Sequence, residues 1–299
     1  MFARSLLVLS LSAGAALAQQ ASLSQVAEGL ASTRAQLNGA GLVPNPISEQ
    51  LLNLTAVLSL QFGSSGSPVA IGTSQSVSDV TQAPSYRLEF APESASALSG
   101  KTFTVAFLDA GAAGVGNPDG LLTRHFLGNN FNLGSDGILS NSTPAITEYA
   151  SPAPAPGSGP HRYFQVVFLQ GDDFRAPSNL SQPGTPLSTM SLAGYAQEAN
   201  LRQIVAASYV SIEDNSASVT DSISSTQAPA SSSVAALATS ISRSLAGGSA
   251  TSGGSSSSTR SGSSGAPSGT SAAGGSNGAV KLGAGAGLLA VLGAAAVLL

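Results

Sequence analysis

Histidine is scarce in this sequence, and both copies, His125 and His161, lie in the middle of the 299-residue chain. There is no cysteine, so a cysteine nucleophile is excluded, and two imidazoles cannot supply a zinc site of three histidines. Adjacent carboxylates at Asp172–Asp173 and Glu213–Asp214 lie beside turn signals, where solvated loop residues are expected. No nucleophile with a matched base is recognisable, so we expect a protein that is not an enzyme and binds no cofactor or metal.

The chemistry open to the two histidines is the binding of an anion. An imidazole can donate a hydrogen bond to an anionic oxygen, and near pH 6 it can also carry positive charge. His161 lies in the stretch Gly-Ser-Gly-Pro-His-Arg-Tyr at residues 157–163, directly after a proline-rich turn, and Tyr163 adds a phenol donor. Gly157 and Gly159 permit a tight backbone path, which we expect to bring His161 to the rim of a site.

Strand-like segments dominate the part of the chain that must position these side chains. They are residues 54–60, 86–90, 101–108 and 163–169, separated by clusters of Gly, Pro, Ser and Asn. A helix is predicted after Ser22, which forms a capping box with Gln25, and it ends at Asn38-Gly39. A second helix is predicted over residues 192–207. These elements predict one domain, residues 19–214, with a β-sandwich and short peripheral helices.

The stretch Gly157-Ser158-Gly159-Pro160-His161-Arg162-Tyr163 resembles the G-T-G-x-H-R-Y signature of the phosphatidylethanolamine-binding protein family. Residues 103–109 are similar to the family's strand that ends in D-P-D-x-P. Arg124-His125-Phe126 is similar to its R-H-W, and residues 206–214 are similar to its closing strand. The resemblance covers residues 42–214.

The resemblance implies a mainly β fold, a Greek-key β-sandwich with a small surface pocket for a phosphate-type anion or a phospholipid headgroup. Carried over residue by residue, the pocket positions are Asp109, His125, His161 and Tyr163. Some members of the family inhibit proteases or kinases through protein contacts. A protein partner, such as a protease or another enzyme, is therefore a further expectation.

The sequence departs from the family at the acidic motif, where Asp109-Ala110-Gly111-Ala112-Ala113 replaces D-P-D-x-P. The second carboxylate and both prolines are absent, so we expect a flexible turn and a weakened pocket. Asp119, within Pro-Asp-Gly, is either a substitute for the missing acid or an ordinary turn residue.

Both ends of the chain carry export signals. Residues 1–18 have a charged start, a short apolar run and an Ala-Leu-Ala cleavage signal, which predicts a signal peptide. Asn277-Gly278-Ala279, a weakly polar spacer and an apolar tail predict a GPI-anchor signal, with residues 278–299 removed. Asn277 is the expected attachment site, with Gly275 and Ser276 as alternatives, and a retained membrane span is the alternative to the anchor. These signals predict a secreted protein on the extracellular face of the plasma membrane or in the cell wall.

Residues 215–277 are rich in Ser, Thr, Ala and Gly, which predicts a disordered, O-glycosylated stalk. Sequons for N-glycosylation occur at Asn53, which precedes an apolar strand, and at Asn141 and Asn179 in turn-like stretches.

Only 9% of the residues are charged and the formal net charge is −4, so no nucleic-acid partner is expected. Two functions remain open. One is a non-catalytic ligand-binding module displayed at the cell surface. The other is a structural or adhesive cell-wall glycoprotein in which the pocket is a relic.

Overall fold

The computed structural model describes residues 21–63, 66–115, 120–141, 143–219 and 230–247. All of them belong to one compact unit, Met1–Ala250. The predicted signal peptide, Asp119, most of the predicted stalk and the predicted anchor signal lie outside the described residues. Within the described ranges, no helix combines the length and apolar character needed to cross a bilayer.

Nine strands and four α-helices make up the described fold. The strands are β1 (Val57–Phe62), β2 (Ser74–Gln75), β3 (Pro84–Glu89), β4 (Thr102–Ala112), β5 (Leu122–Leu133), β6 (Leu139–Asn141), β7 (His161–Leu169), β8 (Ser188–Met190) and β9 (Ile204–Ile212). The helices are α1 (Leu23–Gly39), α2 (Ala95–Leu98), α3 (Leu192–Glu198) and α4 (Ser231–Leu245).

The large sheet has seven strands in the order β2-β9-β7-β4-β5-β6, and β8 also pairs with β5. β2 pairs with β9 in parallel, and the other neighbours are antiparallel. β4, β7 and β9 are buried along almost their whole length. Such strands need apolar side chains on both faces, which explains runs such as the one from Phe164 to Leu169.

The two faces of this sheet are covered by different elements. β7 sends Phe164, Val166 and Phe168 into a core shared with α3 and with the segment that follows α1. It sends Tyr163 and Val167 into a second core, shared with the two-stranded sheet of β1 and β3. Because successive side chains of a strand alternate between faces, Tyr163 and His161 lie on the β1/β3 side.

The predicted elements agree with the observed ones in type, apart from the C-terminal half of one helix. The Ser22–Gln25 capping box is present, and α1 ends at Gly39. The helix predicted over residues 192–207 is too long, because α3 ends at Glu198 and residues from Ile204 form β9. Asn200 has φ +57°, a left-handed conformation that a helix cannot continue through.

Helix α4 lies inside the range for which the sequence predicts a stalk, and the prediction did not include it. Its Ile241 and Leu245 pack against Val26 and Leu30 of α1. α4 starts without a side-chain cap, and its sequence consists mainly of Ser and Ala. A helix of 15 residues is marginal alone, so α4 depends on the apolar contact with α1. Val234, Leu237, Ile241 and Leu245 recur at helical spacing, a signal that the Ser-rich composition of the range hides.

Candidate ligand-binding site

The four predicted pocket residues come from three adjacent strands. Asp109, near the end of β4, is paired through its Cα with Tyr163 of β7 and with Thr123 of β5. His125 lies at a register shift of β5 opposite Phe107/Leu108, and His161 opens β7. The structure therefore brings together Asp109, His125, His161 and Tyr163, which are spread over 55 positions of the chain.

His161 bridges a carboxylate and a hydroxyl. Its Nδ1 lies 2.9 Å from Oδ2 of Asp109, and its Nε2 lies 2.9 Å from Oγ of Ser158. Asp109 also accepts a 2.6 Å hydrogen bond at Oδ1 from the backbone N–H of Gly111. Both oxygens of the carboxylate and both nitrogens of the imidazole are thus already hydrogen-bonded within the protein.

His125 is held from behind by the backbone of Ala150. Its Nδ1 lies 2.9 Å from the Ala150 carbonyl oxygen, which can only accept, so Nδ1 carries the proton of the neutral ring and Nε2 carries the lone pair. Among the described residues, Nε2 has no hydrogen-bond partner. Burial lowers the pKa of His125 below its usual range, although the Ala150 carbonyl and the Asp109 carboxylate oppose this shift. The ring is therefore neutral at pH 7.

Tyr163 forms the floor between the two imidazoles. Its ring centroid lies 5.2 Å from that of His125, in an edge-to-face arrangement, and 6.1 Å from that of His161, in a stacked one. Burial, and then the Asp109 carboxylate, raise the pKa of Tyr163 far above its usual range. The phenol therefore stays protonated and can act as a donor.

Two aromatic residues that the sequence did not single out support the cluster. The ring of Phe107 packs against His125 and Tyr163, at 5.9 Å between centroids in each case. It stacks on Tyr149 at 5.7 Å, and the Tyr149 hydroxyl donates to the Val80 carbonyl oxygen at 2.6 Å. In the sequence, Phe107 lies in an apolar segment and Tyr149 lies beside a turn. These positions do not distinguish residues of a site from residues of the core.

The backbone that directly follows Asp109, at the end of β4, is held by the side chain of Arg162. Arg162, 9% exposed, donates to the carbonyl oxygens of Ala110 at 2.9 Å and Gly111 at 3.1 Å. It also donates to Ala40 at 2.8 Å, at the end of α1. The guanidinium thus fixes the carbonyl groups of residues 110 and 111, whereas residues 116–119 of the turn that was expected to be flexible lie outside the described part of the chain. The sequence could not reveal this role, because the acceptors are backbone atoms with no side-chain signature.

The Gly-Ser-Gly loop confirms the predicted tight path before His161. Gly157 and Gly159 have φ +76° and +79°, which favour glycine. A Cβ on Gly157 would lie 2.7 Å from the carbonyl oxygen of Ser218. Contacts of the domain therefore continue past Asp214, the predicted domain end, to at least Ser218.

Ser158, His161 and Asp109 form a hydroxyl–imidazole–carboxylate series that the sequence did not reveal. Acyl-transfer enzymes use this order of groups. However, Oγ of Ser158 also lies 2.6 Å from the Ala155 carbonyl oxygen, which can only accept. The single hydroxyl proton cannot serve both the carbonyl and Nε2 of His161. In the described geometry the Ser158 hydroxyl thus stabilises the loop through its hydrogen bond to Ala155. It could act as a nucleophile only if this hydrogen bond were broken.

The cluster reaches the surface through Asp109 and His161, whose side chains are 11% and 18% exposed. Its deeper members, His125 and Tyr163, are 6% and 1% exposed. Three cavities of the described part of the chain are lined by other residues. Among the described residues, no group of three His, Cys, Asp or Glu side chains is suited to a metal ion.

The three sequons differ in their surroundings. Asn53 is exposed, although it precedes an apolar strand, and Asn179 is exposed as well. Nδ2 of Asn141, the atom that a glycan would modify, donates to the Asn129 carbonyl oxygen at 2.6 Å.

A sequence profile described as phosphatidylethanolamine-binding protein matches residues 55–210. No curated protein matches the chain. Among solved structures, a carboxypeptidase Y inhibitor complexed with its cognate proteinase is 21% identical, with a TM-score of 0.48, over 61% of this chain and 97% of that one. A phosphatidylethanolamine-binding protein from Plasmodium falciparum is 18% identical, with a TM-score of 0.45, over 60% and 95% of the two chains. One from Plasmodium vivax is 16% identical, with a TM-score of 0.44, over 60% and 96%.

Proposed function

Because the chain belongs to the phosphatidylethanolamine-binding protein family, we propose that it is a cell-surface binding module for a phosphate-type anion or a phospholipid headgroup. The observation that carries the proposal is the convergence of Asp109, His125, His161 and Tyr163, with Nε2 of His125 left without a partner among the described residues. Export and a GPI anchor are part of the proposal and rest on the sequence signals alone.

Binding at His125 must be coupled to protonation. The neutral ring presents a lone pair at Nε2, which repels an anionic oxygen, whereas the protonated ring donates to it. The pKa of His125 is lowered in the free protein, and a bound anion raises it again. Affinity for phosphate should therefore increase as the pH falls from about 7.5 to about 5.5, by at most about tenfold per pH unit for one proton taken up.

The test is a titration of the full chain with inorganic phosphate and with phosphoethanolamine, followed through the imidazole NMR signals at both pH values. His125→Phe keeps an aromatic ring but removes the nitrogen, and should abolish the pH dependence. Tyr163→Phe removes one donor and should weaken binding by less than about tenfold. Tyr209→Phe, which removes a phenol on the opposite face of the sheet, is the control and should bind like the wild type.

A second candidate, a structural or adhesive cell-wall glycoprotein with a relic pocket, is favoured by one observation. Both nitrogens of His161 and both oxygens of Asp109 are satisfied within the protein, which leaves few groups to recruit a ligand. If neither imidazole responds to about 10 mM phosphate at either pH, the binding proposal fails and this candidate takes its place.

We further propose that the protein is not an enzyme, because the Ser158 hydroxyl is engaged by the Ala155 carbonyl. A fluorophosphonate probe, which labels activated serines, should leave Ser158 unmodified. Labelling that disappears in Ser158→Ala would instead identify an acyl-transfer enzyme.

A further inference from the structure

Arg124 is a buried cation that pairs with no carboxylate of the described residues. It is 2% exposed and lines a cavity with Met190 and Tyr195 of the core shared with α3. His125 packs on Phe107 and Tyr163 of the other core, so the two side chains lie on opposite faces of the sheet. Nε donates to Oγ1 of Thr147 at 2.7 Å, and Nη2 donates to the Pro186 carbonyl oxygen at 2.9 Å. Both partners are neutral. Within the described ranges Arg124 forms no ion pair, and its Nη1 has no hydrogen-bond partner.

This lack of a counter-ion needs an explanation, because a buried charge is costly unless it is paired. Burial lowers the pKa of Arg124, as expected for a guanidinium removed from water, but an arginine remains charged in proteins. Two neutral acceptors satisfy part of the guanidinium and leave the edge that carries Nη1 open. The buried charge therefore lowers the stability of the fold, and no described residue forms an ion pair with it.

Arg124 lines a cavity of about 310 Å³. Leu180, Pro186 and Met190 give the cavity apolar walls, and the hydroxyl of Ser188 lines it as well. Ser188 is the cross-strand partner of Arg124 on β8, so the two side chains are direct neighbours on one face. Apolar walls around a few convergent polar groups are typical of a small-molecule site.

We propose that this cavity binds a monocarboxylate that carries a short apolar group. The carboxylate accepts hydrogen bonds from the open edge of the Arg124 guanidinium, which matches it in planar shape. The apolar group lies against Leu180, Pro186 and Met190. The site is separate from the histidine cluster, because the sheet lies between them.

The charge around the cavity favours a monoanion over phosphate. Glu198, the other charged residue that lines the cavity, is exposed at its margin. A carboxylate there repels a phosphate dianion about twice as strongly as it repels a monocarboxylate. Removal of this charge in Glu198→Gln should improve phosphate binding more than carboxylate binding.

Ser188 offers a test that leaves Arg124 and its structural hydrogen bonds intact. Ser188→Glu places a tethered carboxylate beside the guanidinium, where it competes with any ligand. Ser188→Gln is the matched control, with the same size but no charge. We expect Ser188→Glu to weaken carboxylate binding at least about tenfold and Ser188→Gln to change it less than about threefold.

The measurement is a titration of the full chain, read from the Nε–H NMR signal of Arg124. Butyrate should shift this signal at millimolar concentration, and butyramide, its neutral analogue, should not. A short peptide with a free or an amidated C-terminus shows whether the carboxylate belongs to a free acid or to the end of a chain. Tighter binding of the free-terminus peptide than of butyrate assigns the chain end.

The proposal is overturned by any of three results. The first is no response of the Arg124 signal at about 50 mM butyrate. The second is binding of butyramide or phosphate as tight as that of butyrate. The third is an equal effect of Ser188→Glu and Ser188→Gln. The imidazole signals report the other site separately, so failure here leaves the phosphate test untouched.

Discussion

Gly157 combines a left-handed conformation with a close backbone neighbour. In Gly157→Ala the new Cβ meets both the strain at φ +76° and the Ser218 carbonyl oxygen 2.7 Å away. Gly184 is the matched control, because its φ is +80° but nothing lies within 4 Å of its Cβ position. We expect Gly184→Ala to lower the free energy of unfolding by about 1 to 2 kcal/mol, and Gly157→Ala to lower it further. Equal losses in urea unfolding would mean that residues 217–218 do not pack on the loop.

At this scale the sequence could reveal His161 and Tyr163, because they lie in one contiguous motif after a proline-rich turn. It could also propose Asp109 and His125, through shorter matches. It could not reveal Arg162, whose partners are carbonyl oxygens, nor Ser158 as a partner of His161, since that contact depends on the exact path of the Gly-Ser-Gly loop. Every residue has a backbone carbonyl, so a hydrogen bond to the backbone does not require a particular residue type and leaves no pattern in the sequence.

At the scale of elements, Arg162 connects the end of α1 to the last residues of β4. Replacement by alanine would leave the carbonyl oxygens of Ala40 and Ala110 without this donor, in buried surroundings. We expect Arg162→Ala to lower the free energy of unfolding by at least about 3 kcal/mol. Arg202→Ala is the control, since Arg202 and its partner Asp173 have side chains that are 76% and 53% exposed, and it should cost under about 0.5 kcal/mol. Similar midpoints for the two variants in urea would contradict this assignment.

Helix α4 tests whether the segment after the sheet is part of the folded unit. Ala238 is buried at the contact with α1, whereas Ala236, on the same helix, is exposed. Ala238→Asp should release α4 and lower the melting temperature by a few degrees, because a charge cannot be buried there. It should also speed hydrogen exchange in α1. Ala236→Asp carries the same loss of helix propensity and should do neither. If both variants behave like the wild type, α4 does not contribute to the stability of the domain.

Hydrophobic patterns in the sequence predict some of the helices and strands accurately and others not. β3 alternates between buried and exposed residues, and β7 is a nearly continuous apolar run. The sequence therefore predicts both strands within a few residues. The end of α3 depends on one left-handed residue, Asn200, in a sequence that otherwise continues to suit a helix. α4 is the reverse case, since its apolar residues recur at helical spacing inside a Ser-rich range and its partner α1 lies about two hundred positions away.

At the scale of the whole molecule, the sequence signals at the two ends predict processing. The exported protein should lack residues 1–18 and 278–299, because an A-x-A signal and an apolar tail behind small residues are cleavage signals. A phosphatidylinositol-specific phospholipase should then release it from membranes. Mass spectrometry of the released protein checks both ends, and recovery of the intact C-terminal peptide would contradict the anchor. A substitution of Asn277 by a bulky residue should move attachment to Ser276 or Gly275.

Arg124 and His125, which are adjacent on β5, help to fix the register of this strand in the sheet. A slip of β5 by one position would move the guanidinium away from Thr147 and Pro186 and the imidazole away from Ala150. These buried polar groups would then lose their present partners, which costs free energy. These two residues therefore disfavour a misaligned sheet even when no ligand is bound. Substitutions that make positions 124 and 125 chemically alike should increase the fraction of chains that misfold.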